Sequence, residues 1–272
     1  MRAKRIWPYF FGSELADSGI RAVDAYGWGV RFVKGSLQSL AVSFFGIMHL
    51  GSRIRNRILT GELSRENCSD KSLLDAGCGI GQEAVYLAPN FESVLGVDIE
   101  KEKITQAKKL AEKNLVNNAR FEALDLTKGG LGNRMFDVII CLEVIEHVSS
   151  DKKFISVLNR LLKKGGRLII SFPSKTLLSK IAQKSLKHFE IGYNPDDMRM
   201  LLKGTDLKIV KKYSYGKSIL GKLVIAADFI FKKTLPVLSV LFFPIFYPLL
   251  ILDLKLPAFG IPRGFILILG KR

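Results

Sequence analysis

Ten consecutive residues, Leu73-Leu74-Asp75-Ala76-Gly77-Cys78-Gly79-Ile80-Gly81-Gln82, constrain this chain more than any other stretch. An apolar strand pattern runs into three glycines at alternate positions, and a helix pattern begins directly after them. Glycines in such a turn let the backbone come close to a ligand, and the start of the next helix offers unpaired N–H groups. A strand, turn and helix in this order open an α/β domain with a largely parallel sheet. The spacing also discriminates between ligands. Dinucleotide-binding turns read G-x-G-x-x-G, whereas this run is G-x-G-x-G and places Gln82 where the third fingerprint glycine would stand. That argues against a nicotinamide cofactor and for another nucleoside ligand.

The chain downstream keeps the same alternation. Short apolar runs predict strands over 72–76, 94–98, 121–126, 136–142, 167–172, 207–213 and 264–269. Between them the periodicity predicts helices over 82–87, over 101–115 with Ile104, Ala107, Ala111 and Leu115 on one face, and over 151–162 with Phe154, Ile155, Leu158 and Leu161 as its buried stripe. Lys164-Gly165-Gly166 reads as a break before the fifth strand, and Asn194-Pro195-Asp196-Asp197 as a capped helix start. In a parallel sheet the carboxyl ends of the strands converge on one crevice. Asp75, Asp98, Asp125 and Glu143 all fall at such ends. Asp98 is placed to accept hydrogen bonds from both hydroxyls of a ribose, and Asp125 to accept from an adenine amino group. Each acid taken singly reads equally well as a loop or cap residue; four at successive strand ends point to a shared ligand.

Residues 72–215 resemble the class I S-adenosylmethionine-dependent methyltransferases, in the broad group that includes quinone and other small-molecule methyltransferases. The resemblance is carried by LLDAGCGIGQEAVYLA at 73–88, VLGVDIE at 94–100, ALDL at 123–126, FDVIICLEVIEHV at 136–148 and LLKKGGRLIISFPS at 161–174. It implies a Rossmann-like α/β fold: a seven-stranded, mostly parallel sheet with an antiparallel last strand, here with apolar helical appendages. It implies S-adenosyl-L-methionine as cofactor. Asp75, Gly77, Cys78, Gly79 and Gly81 would surround its methionine part, Asp98 and Ile99 its ribose side, Asp125 and Leu126 its adenine, and the run from Cys141 through Leu142 to Glu143 its far side.

Methyl transfer from a sulfonium is an in-line displacement, so alignment matters more than a fixed triad. A hydroxyl acceptor would still benefit from a base. The histidines are His49, His147 and His188. His147, after the fourth strand and next to Glu146, is the best placed base, with a structural role at the start of the next helix as the alternative. His188 lies where related enzymes place residues that face the substrate. Glu143, Glu146 and His147 also match a Glu-x-x-Glu-His run that binds a divalent metal in some membrane-associated quinone methyltransferases; no metal is expected here.

Charge and hydropathy indicate where the protein works. The chain carries 42 Lys and Arg against 25 Asp and Glu, a formal charge of +17. Residues 68–150 hold 9 basic and 13 acidic side chains, so the excess lies outside the cofactor-binding stretch; residues 151–233 alone hold 19 and 6. Such a field draws nucleic acid or anionic lipid. Apolar residues concentrate near 37–50, with basic flanks, and in an uninterrupted run over 235–252 that contains Pro236, Pro244 and Pro248. Eighteen residues just reach the length of a membrane span. A single crossing would separate strands six and seven, which must pair, so the run is expected to be re-entrant, interfacial, or packed on its own domain. The expected organisation is an N-terminal basic and apolar helical segment over 1–67, a methyltransferase domain over 68–216 and 264–272, and an apolar membrane-associating insertion over 217–263.

Three cysteines without CxxC spacing fit a reducing compartment, and no cleaved signal peptide is expected because Glu14 and Asp17 interrupt the N-terminal apolar run. The expected partners are an apolar small-molecule or lipid acceptor and a membrane surface with anionic lipids, at the cytoplasmic side of a membrane as a peripheral or monotopic protein. Transfer to a hydroxyl is expected before transfer to carbon or carboxyl. A nucleic-acid methyltransferase is the alternative that the charge suggests. Base-acting members of similar fold carry an N/D-P-P-Y/F-type run after the fourth strand, whereas this chain has Cys141-Leu142-Glu143-Val144. A catalytically inactive membrane-bound interaction module is the third reading.

Overall fold

The computed structural model describes residues 50–175 and 192–272. His49, His188 and all but the last residue of the apolar stretch 37–50 lie outside the described residues. The described elements are α1 (Leu50–Leu63), β1 (Ser72–Ala76), α2 (Gln82–Leu87), β2 (Ser93–Asp98), α3 (Lys101–Lys113), β3 (Ala119–Ala123), β4 (Phe136–Leu142), α4 (Asp151–Leu161), β5 (Leu162–Pro173), α5 (Pro195–Leu201), β6 (Leu207–Tyr215), α6 (Ile219–Thr234), α7 (Pro236–Asp253) and β7 (Gly264–Lys271). They divide into two units. One holds described residues 58–215 and 261–272, the other residues 50–57 and 216–260.

The first unit is a seven-stranded sheet in the order β3-β2-β1-β4-β5-β7-β6. β1 pairs in parallel with β2 and β4, β2 with β3, and β4 with β5. β7 runs antiparallel between β5 and β6 and pairs with both. This is the Rossmann-like sheet that the family resemblance implies. Successive residues of a strand face opposite sides, and both Leu73 and Leu74 of β1, like Ile139 and Ile140 of β4, are fully buried. Both faces of the sheet are therefore covered, as continuous apolar strands require. Phe154, Ile155, Leu158 and Leu161 of α4 join Leu74, Ile139, Leu168 and Leu267 in one core. At the outer edge, β6 exposes Lys208 and Lys212, charges that discourage pairing with another chain. The strand order reverses between β1 and β4, which puts the ligand crevice of such a sheet at their carboxyl ends.

Three local expectations are corrected. The third strand ends at Ala123, not at 126, because Asp125 caps a single 3-10 turn, Leu126–Lys128, by accepting from the Thr127 backbone N–H. α3 ends at Lys113, and Leu115 adopts a left-handed φ of 54° and is 83% exposed instead of continuing the buried face. Gly165-Gly166 does not end the pattern: β5 starts at Leu162 and carries the glycines through a bulge where its register with β4 shifts. Nearly all of the apolar run 235–252 lies in one helix, α7 (Pro236–Asp253), which contains Pro244 and Pro248.

In the second unit α6 and α7 pack through aromatic rings, Phe231 lying 5.3 Å from Phe242 and 5.9 Å from Phe246. The Arg53 guanidinium sits 5.3 Å from the ring of Phe243 and 5.7 Å from that of Tyr247. A buried carboxylate closes the pair at its base. Asp253, the last residue of α7, accepts from the Ser218 N–H at 2.8 Å, the Ser218 hydroxyl at 2.5 Å and the Lys217 N–H at 3.2 Å. Ser218 in turn caps α6 by accepting from the Gly221 N–H at 3.1 Å. Among the described residues no helix is long and apolar enough to cross a membrane.

Candidate cofactor site

The glycine turn is tied to the neighbouring strand. The N–H groups of Gly77 and Cys78 both donate to the Val97 carbonyl, at 2.7 and 2.9 Å, so the chain leaving β1 curls over the end of β2. Gly77 has a φ of +83°, and a Cβ there would lie 2.4 Å from a Val144 methyl group. Gly79 also has a positive φ, +53°, but a Cβ there would meet nothing within 4 Å. Packing thus demands one glycine, while the other borders open space. The Cys78 side chain is buried against Gly96, where an added Cβ would stand 2.9 Å from its sulfur. Cys78 therefore offers backbone to the turn, and burial pushes its thiol far above its ordinary range.

Asp98 is held in place before any ligand arrives. Its Oδ2 accepts from the Gly79 N–H at 2.9 Å and its Oδ1 from the Glu100 N–H at 3.0 Å. Each oxygen of a carboxylate has a second lone pair, so both can still accept from neighbouring hydroxyls. Ile99 beside it is 65% exposed.

Asp75 at the end of β1 is in the opposite state. It is 3% exposed, and its Oδ2 has no hydrogen-bond partner. Burial, with Glu83 and Asp98 nearby, holds its carboxyl well above the usual range. Gln82 Nε2, at the start of α2, is likewise buried without a partner. A buried polar atom left unsatisfied costs about 1–3 kcal/mol. An acceptor and a donor orphaned on one glycine turn are the pattern of a site completed by a polar ligand. These atoms, the open side of Gly79 and the fixed Asp98 suit a nucleoside with an amino-acid end, the shape of S-adenosylmethionine.

The remaining expected residues are less uniform. Asp125 Oδ1 accepts from the Thr127 N–H at 2.9 Å and hydroxyl at 2.6 Å, and that hydroxyl bond leads in holding its carboxyl below the usual range. Leu126 and Cys141 have buried side chains within the main core, so what they present to a ligand is backbone. Leu142 is half-buried at the end of β4. Glu143 has a left-handed φ of +57°. Its N–H donates to the carbonyl and to the hydroxyl of Ser171, both at 3.1 Å, and the same hydroxyl donates back to Glu143 Oε1 at 3.0 Å. Ser171 escaped the sequence reading; its one signal was a hydroxyl inside the apolar run of β5. Glu146 and His147 share a single 3-10 turn, Ile145–His147, with Glu146 buried and His147 exposed. Among the described residues no three His, Cys, Asp or Glu side chains form a group that could hold a metal ion.

Comparison with known proteins places this geometry. The family model described as "Methyltransferase domain" matches residues 67–212. The mitochondrial ubiquinone biosynthesis O-methyltransferase of Schizosaccharomyces pombe is 36% identical over 137 residues, which cover 50% of each chain. That of Rickettsia typhi is 33% identical over 154 residues, 56% of this chain and 61% of the relative, and that of Rickettsia bellii is 33% identical over 180 residues, 61% and 74%. The chain thus spans from half to about three fifths of the length of the first of these relatives. Among solved structures, YcgJ of Bacillus subtilis aligns with a TM-score of 0.56 at 17% identity over 80% of this chain and 98% of its own. Phosphoethanolamine N-methyltransferase 2 of Haemonchus contortus aligns with a TM-score of 0.59 at 16% identity over 80% and 52%. At such identities these structures speak for the fold alone.

Proposed function

Because the chain belongs to the methyltransferase-domain family, we propose that it is an S-adenosylmethionine-dependent O-methyltransferase acting on a lipid-like or isoprenoid-type molecule at a membrane surface. The observation that carries the cofactor half of this reading is the joint between the Gly79 N–H and Asp98 Oδ2, which sets a carboxylate for a ribose beside an open glycine turn. The acceptor half rests on similarity to ubiquinone biosynthesis O-methyltransferases.

The bound cofactor would supply a methyl group activated by a sulfonium. The rest falls to the protein. Asp98 accepts from the ribose hydroxyls, with Ile99 against the ribose side. Asp75 and Gln82 meet the amino-acid end within the turn from Gly77 through Cys78 and Gly79 to Gly81. Asp125 and Leu126 border the adenine, and Leu142 and Glu143 close the far side. His147, exposed beyond β4, is our choice to take the acceptor's hydroxyl proton, with Glu146 adjoining it in sequence and His188 as a second candidate base. The protein would work on the cytoplasmic side of a membrane as a peripheral or monotopic enzyme, with the expected anionic lipids as its surface.

The test is calorimetric binding of S-adenosylmethionine to detergent-solubilised protein, with Asp98→Ala alongside, followed by incubation with methyl-labelled cofactor and a total lipid extract. Binding abolished by the substitution, with label entering the lipid fraction, is the expected result. A folded protein that binds no cofactor, or label found only in water-soluble products, overturns the proposal.

A further inference from the structure

The α6–α7 pair has a surface unlike that of the sheet unit. Apart from Thr234 at its end, every exposed described side chain of α6 is apolar, and on α7 every exposed described side chain is apolar. The pattern is regular. On α6, Ile219, Leu223, Ala226 and Ile230 are exposed; on α7, Leu241, Ile245, Pro248 and Leu252 are exposed. Both sets step by four, three and four residues, the repeat of a single helix face. Each stripe is about 16 Å long at 1.5 Å per residue, so it follows the helix along most of its length. An apolar surface this continuous marks a contact with another phase or partner.

The ionisable groups indicate which. From 216 to 260 the acids are Asp228 and Asp253, both buried, while the bases are Lys217, Lys222, Lys232, Lys233 and Lys255. Lys217 and Lys222 lie at the start of α6, Lys255 follows α7, and Lys232 and Lys233 lie at the far end of α6. Positive charge thus brackets the stripes at both ends. A pair of helices standing upright in a bilayer would carry Lys232 and Lys233 into hydrocarbon, where charge is expensive. A pair lying flat keeps Lys217, Lys222 and Lys255, and the helix end at 232–233, near the headgroups while its stripes face the acyl chains.

We infer that α6 and α7 dock in the plane of an anionic lipid leaflet through the stripes Ile219–Leu223–Ala226–Ile230 and Leu241–Ile245–Pro248–Leu252. This deepens the proposed function by giving its membrane surface a docking element and an orientation, and it rests on that reading only in taking the apolar phase to be lipid. The Asp253 carboxylate holds the base of the pair together, and Gly221 permits the approach, since a Cβ there would lie 2.2 Å from Asp253 Oδ1. The start of α6 and the end of α7 are therefore tied to each other.

The test is flotation of the full chain with vesicles of phosphatidylcholine alone and of equal parts phosphatidylcholine and phosphatidylglycerol, without cofactor. The wild type should float with the anionic vesicles and less with the neutral ones. Leu223→Glu combined with Ile245→Glu should lower partitioning about a hundredfold, about tenfold per residue, because each removes buried apolar area and adds a like charge to the anionic surface. Leu115→Glu, at an exposed leucine of the sheet unit, should leave it unchanged. Thermal melting checks that the variants fold, and Leu223→Ser with Ile245→Ser replaces the double glutamate if it does not. Spin labels on Ile219→Cys and Ile230→Cys should report equal depth. Folded wild type that stays with neither vesicle, glutamates that dissociate a dimer without changing flotation, or a label at 230 far deeper than at 219 overturns the inference. Cofactor binding by calorimetry is read separately, so failed docking and a failed methyltransferase reading are told apart.

Discussion

Replacing Gly77 and Gly79 by alanine, one at a time, separates backbone strain from packing within a single turn. Both glycines have positive φ, +83° and +53°, and an L residue held in that region loses about 1–2 kcal/mol. At Gly79 that is the whole penalty, because a Cβ meets nothing within 4 Å. At Gly77 the new Cβ would stand 2.4 and 2.8 Å from the two Val144 methyl groups, and overpacking of this kind adds about 1–3 kcal/mol. The expected losses are therefore about 1–2 kcal/mol for Gly79→Ala and about 2–5 kcal/mol for Gly77→Ala. Melting points should fall by about 2–8 °C and about 4–20 °C, at 2–4 °C per kcal/mol for a unit of this size. Adding Val144→Ala to Gly77→Ala should return the packing part and leave the strain, a coupling of about 1–3 kcal/mol in a double-mutant cycle measured by denaturant titration at constant m. Binding should reverse the ranking. Gly79→Ala puts a methyl group into the space assigned to the cofactor, so it should remain the more stable variant yet lose S-adenosylmethionine binding by calorimetry. Equal stability of the two alanine variants, or no rescue by Val144→Ala, would refute the reasoning.

Two further predictions turn on buried carboxylates of the sheet unit. Glu62 accepts from Tyr213 Oη at 2.5 Å and Lys211 Nζ at 3.0 Å and pairs with Arg65 at 3.1 Å; burial alone would raise its pKa, but these partners bring it below the ordinary value. A depressed carboxyl stabilises the fold above its unfolded pKa and loses that contribution as pH falls, so Glu62→Gln should destabilise by about 1.5–3 kcal/mol at neutral pH. The difference from wild type should shrink below about pH 4 in denaturant titrations, and a pH-independent difference would contradict the assignment. Asp75 has the opposite sign: burial raises its pKa, so its stabilisation is complete below the unfolded pKa and is lost as pH rises through the folded one. Asp75→Asn should therefore gain on wild type from about pH 4 upward while binding cofactor more weakly, and an Asn variant that is less stable at every pH would count against a penalised carboxylate.

Much of the sheet unit was legible because its information is local. Apolar runs such as 136–142 mark strands buried on both faces, and the glycine spacing after Ala76 can serve few other purposes. Errors arose where a side chain chose a tertiary or capping partner. Asp125 reads as the end of a strand, but its carboxylate closes a turn and shortens β3. Leu115 completes a helical face on paper, yet the chain leaves α3 two residues earlier and the side chain meets water. Gly165-Gly166 reads as a stop, but pairing on both sides carries β5 through it as a bulge. At the candidate site, the place of Asp98 at the end of β2 follows from its position in the sequence, while the Ser171 hydroxyl that grips Glu143 is 28 residues away and follows from strand pairing alone.

The way α6 and α7 begin and end bears on how such a protein could be rebuilt. Within their own unit, the Phe259 N–H donates to the Lys217 carbonyl at 2.7 Å, and Asp253 reaches back to Ser218. Within the sheet unit, Tyr215 and Gly264 are direct partners in the β6–β7 ladder. The segment between them is thus an insertion at a strand turn whose own ends meet. Insertions whose ends lie close together are tolerated well, because closing them costs little chain entropy. The match to the methyltransferase domain stops at residue 212, just ahead of this point. A short turn from Tyr215 to Gly264 should leave a chain that still pairs β6 with β7, at the cost of the Arg53 contacts with Phe243 and Tyr247.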